Sequence, residues 1–275
     1  MMPFRRIAIT GVLLAAALPA HAQGTRIAQL PESASQGAML IGRTQPGAEV
    51  RVGERKVSVD AQGRFVFGIG RDEKGPLSVR VQPPGTQAQT ARITVLPRDW
   101  PIQRINGVPP ATVNPPPAIA ARIARENGRI VAARRDDSAN TDFAQAFTWP
   151  VQGRISGRFG NQRIYNGTPK SPHSGMDIAA AQGTPIRAPA GGRITLAEKD
   201  FYLTGGTVMI DHGHGISSNF LHMSRLDVKV GDVVKQGDVV GAVGSTGRST
   251  GPHLHWGMTW FDTRIDPLLV LDGAK

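Results

Sequence analysis

Six of the seven histidines in this 275-residue chain lie between residues 173 and 255, with spacings that suit metal chemistry. His173 is followed four residues later by Asp177, and His253 and His255 flank one leucine in an apolar, strand-like stretch. Because side chains two apart on a strand share a face, both imidazoles of the second group are predicted to point into one site. Gly175 favours a loop-to-strand junction over a helix for the first group.

Two neutral imidazoles and one carboxylate are a suitable ligand set for Zn²⁺, with a fourth position left for water. Zinc in such a set lowers the pKa of bound water and polarises a carbonyl, so the pattern favours a hydrolase. Further histidines nearby could move protons and stabilise developing charge. Each motif alone also occurs by chance, and a lone buried histidine such as His222 is more often a hydrogen-bonded core residue. The hypothesis rests on the grouping.

The C-terminal half, over roughly residues 150–268, resembles the lysostaphin-like zinc metallopeptidases, a family of peptidoglycan endopeptidases. The matching segments are residues 157–160 followed by Arg163, then 173–178, 183–186, 208–213 and 244–255. The most specific of them is the string GSTGRSTGPHLH at residues 244–255.

The resemblance implies that His173, Asp177 and His255 ligate one zinc ion. It implies that His222 and His253 are the two catalytic histidines, which activate the water and stabilise the tetrahedral oxyanion. Substrate-binding residues remain unassigned. Some relatives have lost metal ligands and activate cell-wall amidases instead, so a catalytically silent or latent regulator that binds peptidoglycan is the alternative.

Two departures from the family pattern concern substrate preference and leave the metal set intact. Phe220 stands where many relatives carry Tyr, and Trp256-Gly257 replaces the more usual aromatic-Glu pair. Segments 161–172 and 198–204 are predicted to wall the substrate groove. His212 and His214 are expected to be structural.

The fold is predicted to be mainly β, because 33 glycines and 21 prolines favour short strands joined by tight turns. Residues 23–97 form a predicted small β-sandwich-like domain, Ig-like or similar, with strands at 48–52, 56–59, 64–67, 77–81 and 91–95. Residues 60–63 are predicted to be a hairpin loop between the second and third of these strands. This region contains no histidine, so a targeting, spacing or regulatory role is expected.

Residues 98–148 form a predicted proline-rich linker with one helix at about 118–135, which begins after Pro117. Residues 149–275 form the predicted metallopeptidase domain, an antiparallel β-sheet with long loops and clear strands at 186–189, 192–196, 207–211 and 238–243.

The first 22 residues are predicted to be a secretory signal peptide, because Arg5 and Arg6 precede a short apolar run and an Ala-His-Ala triplet. Its removal takes away two arginines, so the net charge falls from +11 to +9. A basic exported protein suits anionic cell-wall polymers. The absence of cysteine excludes a Cys-ligated zinc. We therefore expect a periplasmic or secreted monomer that acts on peptidoglycan, without nucleic acid and without stable membrane insertion after cleavage.

Overall fold

The structure, a computed structural model, describes residues 28–108 and 110–271. It is mainly β, with 44% of residues in strands and 11% in helices, which confirms the predicted fold class. The predicted signal peptide lies outside the described residues. No helix within the described parts of the chain is long and apolar enough to cross a membrane.

Seven strands precede the linker. They are β1 (Ser33–Ser35), β2 (Met39–Arg43), β3 (Glu49–Val52), β4 (Arg55–Val57), β5 (Arg64–Gly68), β6 (Leu77–Gln82) and β7 (Gln89–Leu96). Five form a sheet in the order β1-β7-β6-β3-β4, and β2 pairs with β5. Strands β3, β6 and β7 alternate buried and exposed residues, so each presents one apolar face to the core.

The predicted hairpin at residues 60–63 is wrong. The strands on either side of this turn belong to different sheets, because β4 pairs with β3 and β5 pairs with β2. Strand β5 is buried on both faces, since it packs between the N-terminal sheet and the C-terminal half of the chain. Period-two patterning predicts strands but does not say which neighbour each one pairs with.

The segment between the two halves contains β8 (Ile102–Ile105), the short helix α1 (Pro110–Val113) and the helix α2 (Pro117–Ala133). Helix α2 begins at a proline, as the sequence predicts, and ends two residues before the predicted boundary. Strand β8 is part of a sheet, because it pairs in parallel with a strand of the C-terminal half.

The C-terminal half contains thirteen strands. They are β9 (Arg154–Gly157), β10 (Gln162–Tyr165), β11 (Thr168–Pro169), β12 (Met176–Ala179), β13 (Pro185–Arg187), β14 (Gly192–Phe201), β15 (Gly205–Gly213), β16 (Ile216–Met223), β17 (Arg225–Leu226), β18 (Val233–Val234), β19 (Val239–Ala242), β20 (His253–Trp260) and β21 (Thr263–Ile265). Eight form an antiparallel sheet in the order β18-β14-β15-β16-β20-β12-β9, with β21 paired to β20. Two three-stranded sheets, β11-β10-β8 and β13-β19-β17, flank it.

The two halves share one hydrophobic core. Phe67 of β5 meets Trp260 of β20 edge to face, with 6.4 Å between ring centroids. An ion pair of 2.9 Å joins Arg98 to Asp266, and the Asp266 backbone N–H donates to the Gly37 carbonyl. Helix α2 packs on the other face of the large sheet, where Ile130 contacts the cluster that contains Met209. These contacts fix the position of the N-terminal half and of the helix relative to the sheet.

Candidate metal centre and active-site cleft

Three potential metal ligands converge where strands β12 and β20 pair. His173 Nε2 lies 3.0 Å from His255 Nδ1 and 3.0 Å from Asp177 Oδ1, and His255 Nδ1 lies 2.8 Å from the same carboxylate oxygen. Asp177 and His255 are direct cross-strand partners, and His173 lies in the loop just before β12. The structure therefore brings the three predicted ligands together as a group that could hold a metal ion.

A close approach of backbone makes room for this group. A Cβ atom at Gly157 of the neighbouring strand β9 would lie 2.4 Å from Asp177 Oδ2 and 3.1 Å from His173 Cε1. Any side chain at position 157 would overlap the carboxylate. This contact gives a physical reason for the glycine in the sequence segment 157–160.

The protonation of the three groups suits a cation. His173 Nδ1 donates to the Arg158 carbonyl at 2.9 Å, which leaves the lone pair of Nε2 directed at the cluster. Burial lowers the pKa of His255 to about 3, although the hydrogen bond to Asp177 opposes that shift. Burial alone would raise the pKa of Asp177, but the close contacts with the His173 and His255 rings outweigh it and hold that pKa below its usual range. Two imidazoles and one carboxylate are a donor set that zinc accepts.

A β-bulge turns His222 toward this cluster. Strand β16 places two residues, Leu221 and His222, opposite the single residue Thr207 of β15. His222 has a φ of +63°, a left-handed conformation that is uncommon for residues other than glycine. Its backbone N–H donates to the Thr204 carbonyl at 2.8 Å, and its Nδ1 donates to the Thr246 carbonyl at 2.8 Å. The strained conformation is thus held by two loops.

His253 completes the set of five predicted residues. Its Nδ1 donates to the Gly251 carbonyl at 2.8 Å, and its Nε2 lies 3.9 Å from Asp177 Oδ1. The His222 and His253 rings are 4.9 Å apart, and His222 is 6.4 Å from the His255 ring. Burial lowers the pKa of His222 to about 4, so its imidazole is neutral at neutral pH. With Nδ1 engaged by backbone carbonyls, both side chains keep Nε2 as the reactive nitrogen.

Arg163 is a site residue to which the sequence assigned no role. Its Nη2 donates to Asp177 Oδ2 at 2.9 Å, and its Nη1 donates to the Tyr165 hydroxyl at 2.9 Å. Arg163 lies on β10 and is paired in register with Gln103 of the linker strand β8. The linker therefore supports the strand whose arginine contacts Asp177. This support depends on tertiary strand pairing, which no local sequence pattern predicts.

His173 and His255 line a cleft of about 1180 Å³ between the two halves of the chain, whereas Asp177 lines a smaller cavity next to it. Residues 70–74 of the N-terminal half, helix α2 and the segments 170–174 and 203–204 line it. A second cavity of about 300 Å³ lies on the other side of Asp177 and is lined in part by the linker residues Gln103, Ile105 and Val108. The two predicted loop segments, 161–172 and 198–204, thus each contribute to the cleft.

His212 and His214 lie away from the cluster. His212 is fully buried, its Nδ1 donates to the Gly191 carbonyl at 2.6 Å, and its Nε2 accepts from Ser218 at 2.8 Å. The indole N–H of Trp256 donates to the same serine hydroxyl at 3.2 Å. The result is a chain of neutral hydrogen bonds that supports the sheet from behind the site.

Comparison with known proteins agrees with this geometry. A family model described as Peptidase family M23 matches residues 171–267. A crystal structure of a putative peptidase M23 from Pseudomonas aeruginosa is 32% identical, covers 88% of this chain and 96% of that chain, and superposes with a TM-score of 0.69. That superposition includes the N-terminal half and the linker as well as the large sheet.

Two of the curated relatives that match part of this chain are named for peptidase activity. The DD-carboxypeptidase/endopeptidase Mpg of Neisseria meningitidis is 51% identical over 99 residues, which are 36% of this chain and 22% of that protein. The peptidoglycan DD-endopeptidase ShyA of Vibrio cholerae is 38% identical over 124 residues, which are 44% of this chain and 29% of that protein. The matches thus span less than a third of either relative.

An antiparallel sheet with a His-Asp-His cluster that could hold a metal ion fits the peptidase class that these comparisons indicate. The chain belongs to peptidase family M23, which confirms the lysostaphin-like resemblance of the sequence.

Proposed function

We propose that the protein is a zinc-dependent endopeptidase that hydrolyses peptide bonds in bacterial peptidoglycan, in the cross-link or the stem peptide. The observation that carries the proposal is the convergence of His173 Nε2, Asp177 Oδ1 and His255 Nδ1 within 3.0 Å of one another, at the floor of an open cleft. The names of the relatives Mpg and ShyA support peptidoglycan as the substrate.

His173, Asp177 and His255 would hold one zinc ion per chain. When bound, zinc supplies a Lewis acid that polarises the scissile carbonyl and acidifies a water molecule. Arg158 and Arg163 orient two of the ligands through the contacts described above. Such outer contacts fix the ring orientation and the carboxylate before the metal arrives.

His222 and His253 would handle the proton and the charge. Water adds to the carbonyl carbon, and a neutral imidazole accepts the water proton at Nε2. The imidazole that has become protonated donates a hydrogen bond from Nε2 to the oxygen that gains negative charge. The C–N bond then breaks, and the proton passes to the leaving amine. The 4.9 Å between the two rings allows both to reach one tetrahedral centre.

The alternative is a catalytically silent or latent regulator of cell-wall amidases. All five side chains are present and converge. A purely regulatory role does not require an intact set of metal ligands, so this observation does not favour the alternative. We also propose a periplasmic or secreted location and a monomeric state, since peptidoglycan lies outside the inner membrane and the cleft is complete within one chain.

The test is digestion of purified peptidoglycan by residues 23–275, beside H222A and a chelator-treated sample. We expect cross-linked dimers to be converted to monomers by the zinc-loaded protein, and at least about 100-fold less conversion by H222A. H222A should keep stoichiometric zinc, which separates a catalytic role from a structural one. Stoichiometric zinc in the unaltered protein with no change in any muropeptide would replace the endopeptidase proposal with the regulator.

A further inference from the structure

The main cleft continues well beyond the metal ligands. His255, Gly257 and Thr259 alternate along β20, so they share the face of the sheet that carries the cluster. Arg264 of β21 is the cross-strand partner of Thr259 and therefore lies on the same face. Four residues of strand separate His255 from Thr259, which is roughly 13 Å. The cleft lining includes both His255 and Arg264, so one continuous space joins them.

Two arginines occupy this far end. Arg134 follows the last turn of helix α2 and is only 7% exposed, and Arg264 comes from β21. Arg134 Nη1 and Arg264 Nη1 are both buried without a hydrogen-bond partner among the described residues. Among the described residues, Arg134 forms an ion pair with Asp262, whose oxygen lies 3.5 Å from Arg134 Nε and whose side chain is 63% exposed.

This pair of guanidinium groups is under-compensated. Burial, together with the neighbouring Arg134, lowers the pKa of Arg264 to about 10, while Asp262 opposes the shift. Burial also lowers the pKa of Arg134. Both groups are still charged at neutral pH. The cleft as a whole is lined by seven Lys or Arg residues and two acidic ones, so its field attracts anions.

Two buried polar side chains lie on the sheet between the metal ligands and the arginines, and Asn219 is one of the residues that line the cleft. Asn219 Oδ1 and Thr259 Oγ1 are buried without a hydrogen-bond partner among the described residues. Gly257 makes room for the Asn219 side chain, because a Cβ at position 257 would lie 2.2 Å from Asn219 Oδ1. Unpaired buried polar atoms cost free energy, and several along one trench indicate that something else pairs with them.

We propose that Arg134 and Arg264 form a subsite that binds a free carboxylate of the substrate peptide, about three to four residues from the bond that is cut. The inference rests on the proposed peptidase function. It implies that the cleft accepts anionic peptides. Two arginines present forked donors that match a carboxylate, and they are worth more in a water-poor cleft than on a surface. Helix α2 thereby takes part in substrate recognition, although it lies outside residues 171–267.

The experiment compares two forms of one cross-linked muropeptide dimer, both with their amines acetylated. One form keeps its carboxylates, and in the other these are coupled to methylamine and so are neutral amides. We expect kcat/KM of residues 23–275 to be at least about tenfold higher for the carboxylate form. R134Q and R264Q should reduce this ratio to near one, and R264K should keep part of it. R135Q is the matched control, because Arg135 is the exposed neighbour on the same helix end, and it should keep the full ratio.

The outcomes separate the two proposals. Cleavage of neither dimer by the zinc-loaded, unaltered protein counts against the peptidase function itself. Cleavage of both forms at equal rates overturns the subsite and leaves the peptidase intact, and this arm needs no variant to fold. R134Q or R264Q that lowers kcat/KM by the same factor for both dimers would also overturn it, since that result indicates a structural role.

Discussion

The two ends of the cleft are built in opposite ways. At the metal end, each of the three ligands has a further partner or a direct cross-strand neighbour, and Arg163 and the Arg158 carbonyl fix two of them from outside. At the far end, Arg134 and Arg264 share one exposed acid and keep unpaired donors. The first end is pre-organised for one small cation. At the second end, the positive charge of the two arginines is available to a larger partner.

This difference indicates which end of the cleft requires a fixed geometry. Chemistry at a metal tolerates little displacement, so the surrounding strands over-determine the ligand positions. Recognition of a flexible peptide needs attraction and reach more than a rigid geometry. We therefore expect substitutions at the metal end to abolish function and substitutions around it to weaken function by degrees.

The largest effect is expected from D177A. This change removes the carboxylate that both imidazoles contact, so the site should lose stoichiometric zinc, and cleavage of peptidoglycan should fall below about a thousandth of the unaltered rate. Metal analysis after dialysis and muropeptide chromatography measure the two quantities. D99A is the matched control, because Asp99 is exposed in the linker. Full zinc content in D177A would contradict the ligand assignment.

A smaller effect is expected from R163Q. This change removes the contact to Asp177 Oδ2 but no ligand, so the dissociation constant for zinc should rise about 10- to 100-fold, and excess zinc should restore activity. Competition with a fluorescent zinc chelator gives the constant. R104Q is the control, since Arg104 is exposed on the paired strand β8. An unchanged zinc affinity would show that Asp177 needs no support from outside the metal site.

The sequence predicts features that have a local signal, and it does not predict features that depend on tertiary packing. Local rules place His253 and His255 on one strand face and His173 four residues before Asp177, whereas the family resemblance is what implies that His173, Asp177 and His255 are the metal ligands. The strands themselves also follow from alternation and glycine, within a few residues. Their pairing does not, and the hairpin predicted at residues 60–63 is wrong because β4 and β5 join different sheets.

His222 and the far end of the cleft depend on tertiary structure. Simple alternation from Leu221 would place His222 on the opposite face of β16, and only the bulge and the positive φ turn it toward the cluster. The sequence singled out His222 through the family resemblance and not through any local pattern. Arg134 and Arg264 are 130 residues apart in chain order and meet because helix α2 packs across the sheet, so no spacing rule could have joined them.

The smallest expected effect is on stability and comes from a third polar site, the one around His212. Unlike the two ends of the cleft, this site has both ring nitrogens of its histidine paired with neutral groups. Burial lowers the pKa of His212 to about 4, and the hydrogen bond to the Gly191 carbonyl only partly opposes this. The unfolded chain has the ordinary value near 6.5. The folded protein therefore binds fewer protons than the unfolded chain between these values. Its stability is complete above about pH 6.5 and falls as the pH drops toward 4.

The pH effect is isolated by comparison with H212Q, whose amide could replace both hydrogen bonds but does not titrate. Urea unfolding with a chelator present, at pH 7 and pH 4.5, should show that the unaltered protein loses on the order of 2 kcal/mol more than H212Q over this range. The chelator removes the contribution of metal binding from both proteins. An equal loss in both would mean that the hydrogen-bond chain through Ser218 and Trp256 accommodates the protonated ring. The neutral state of His212 would then not contribute to the pH dependence of the stability.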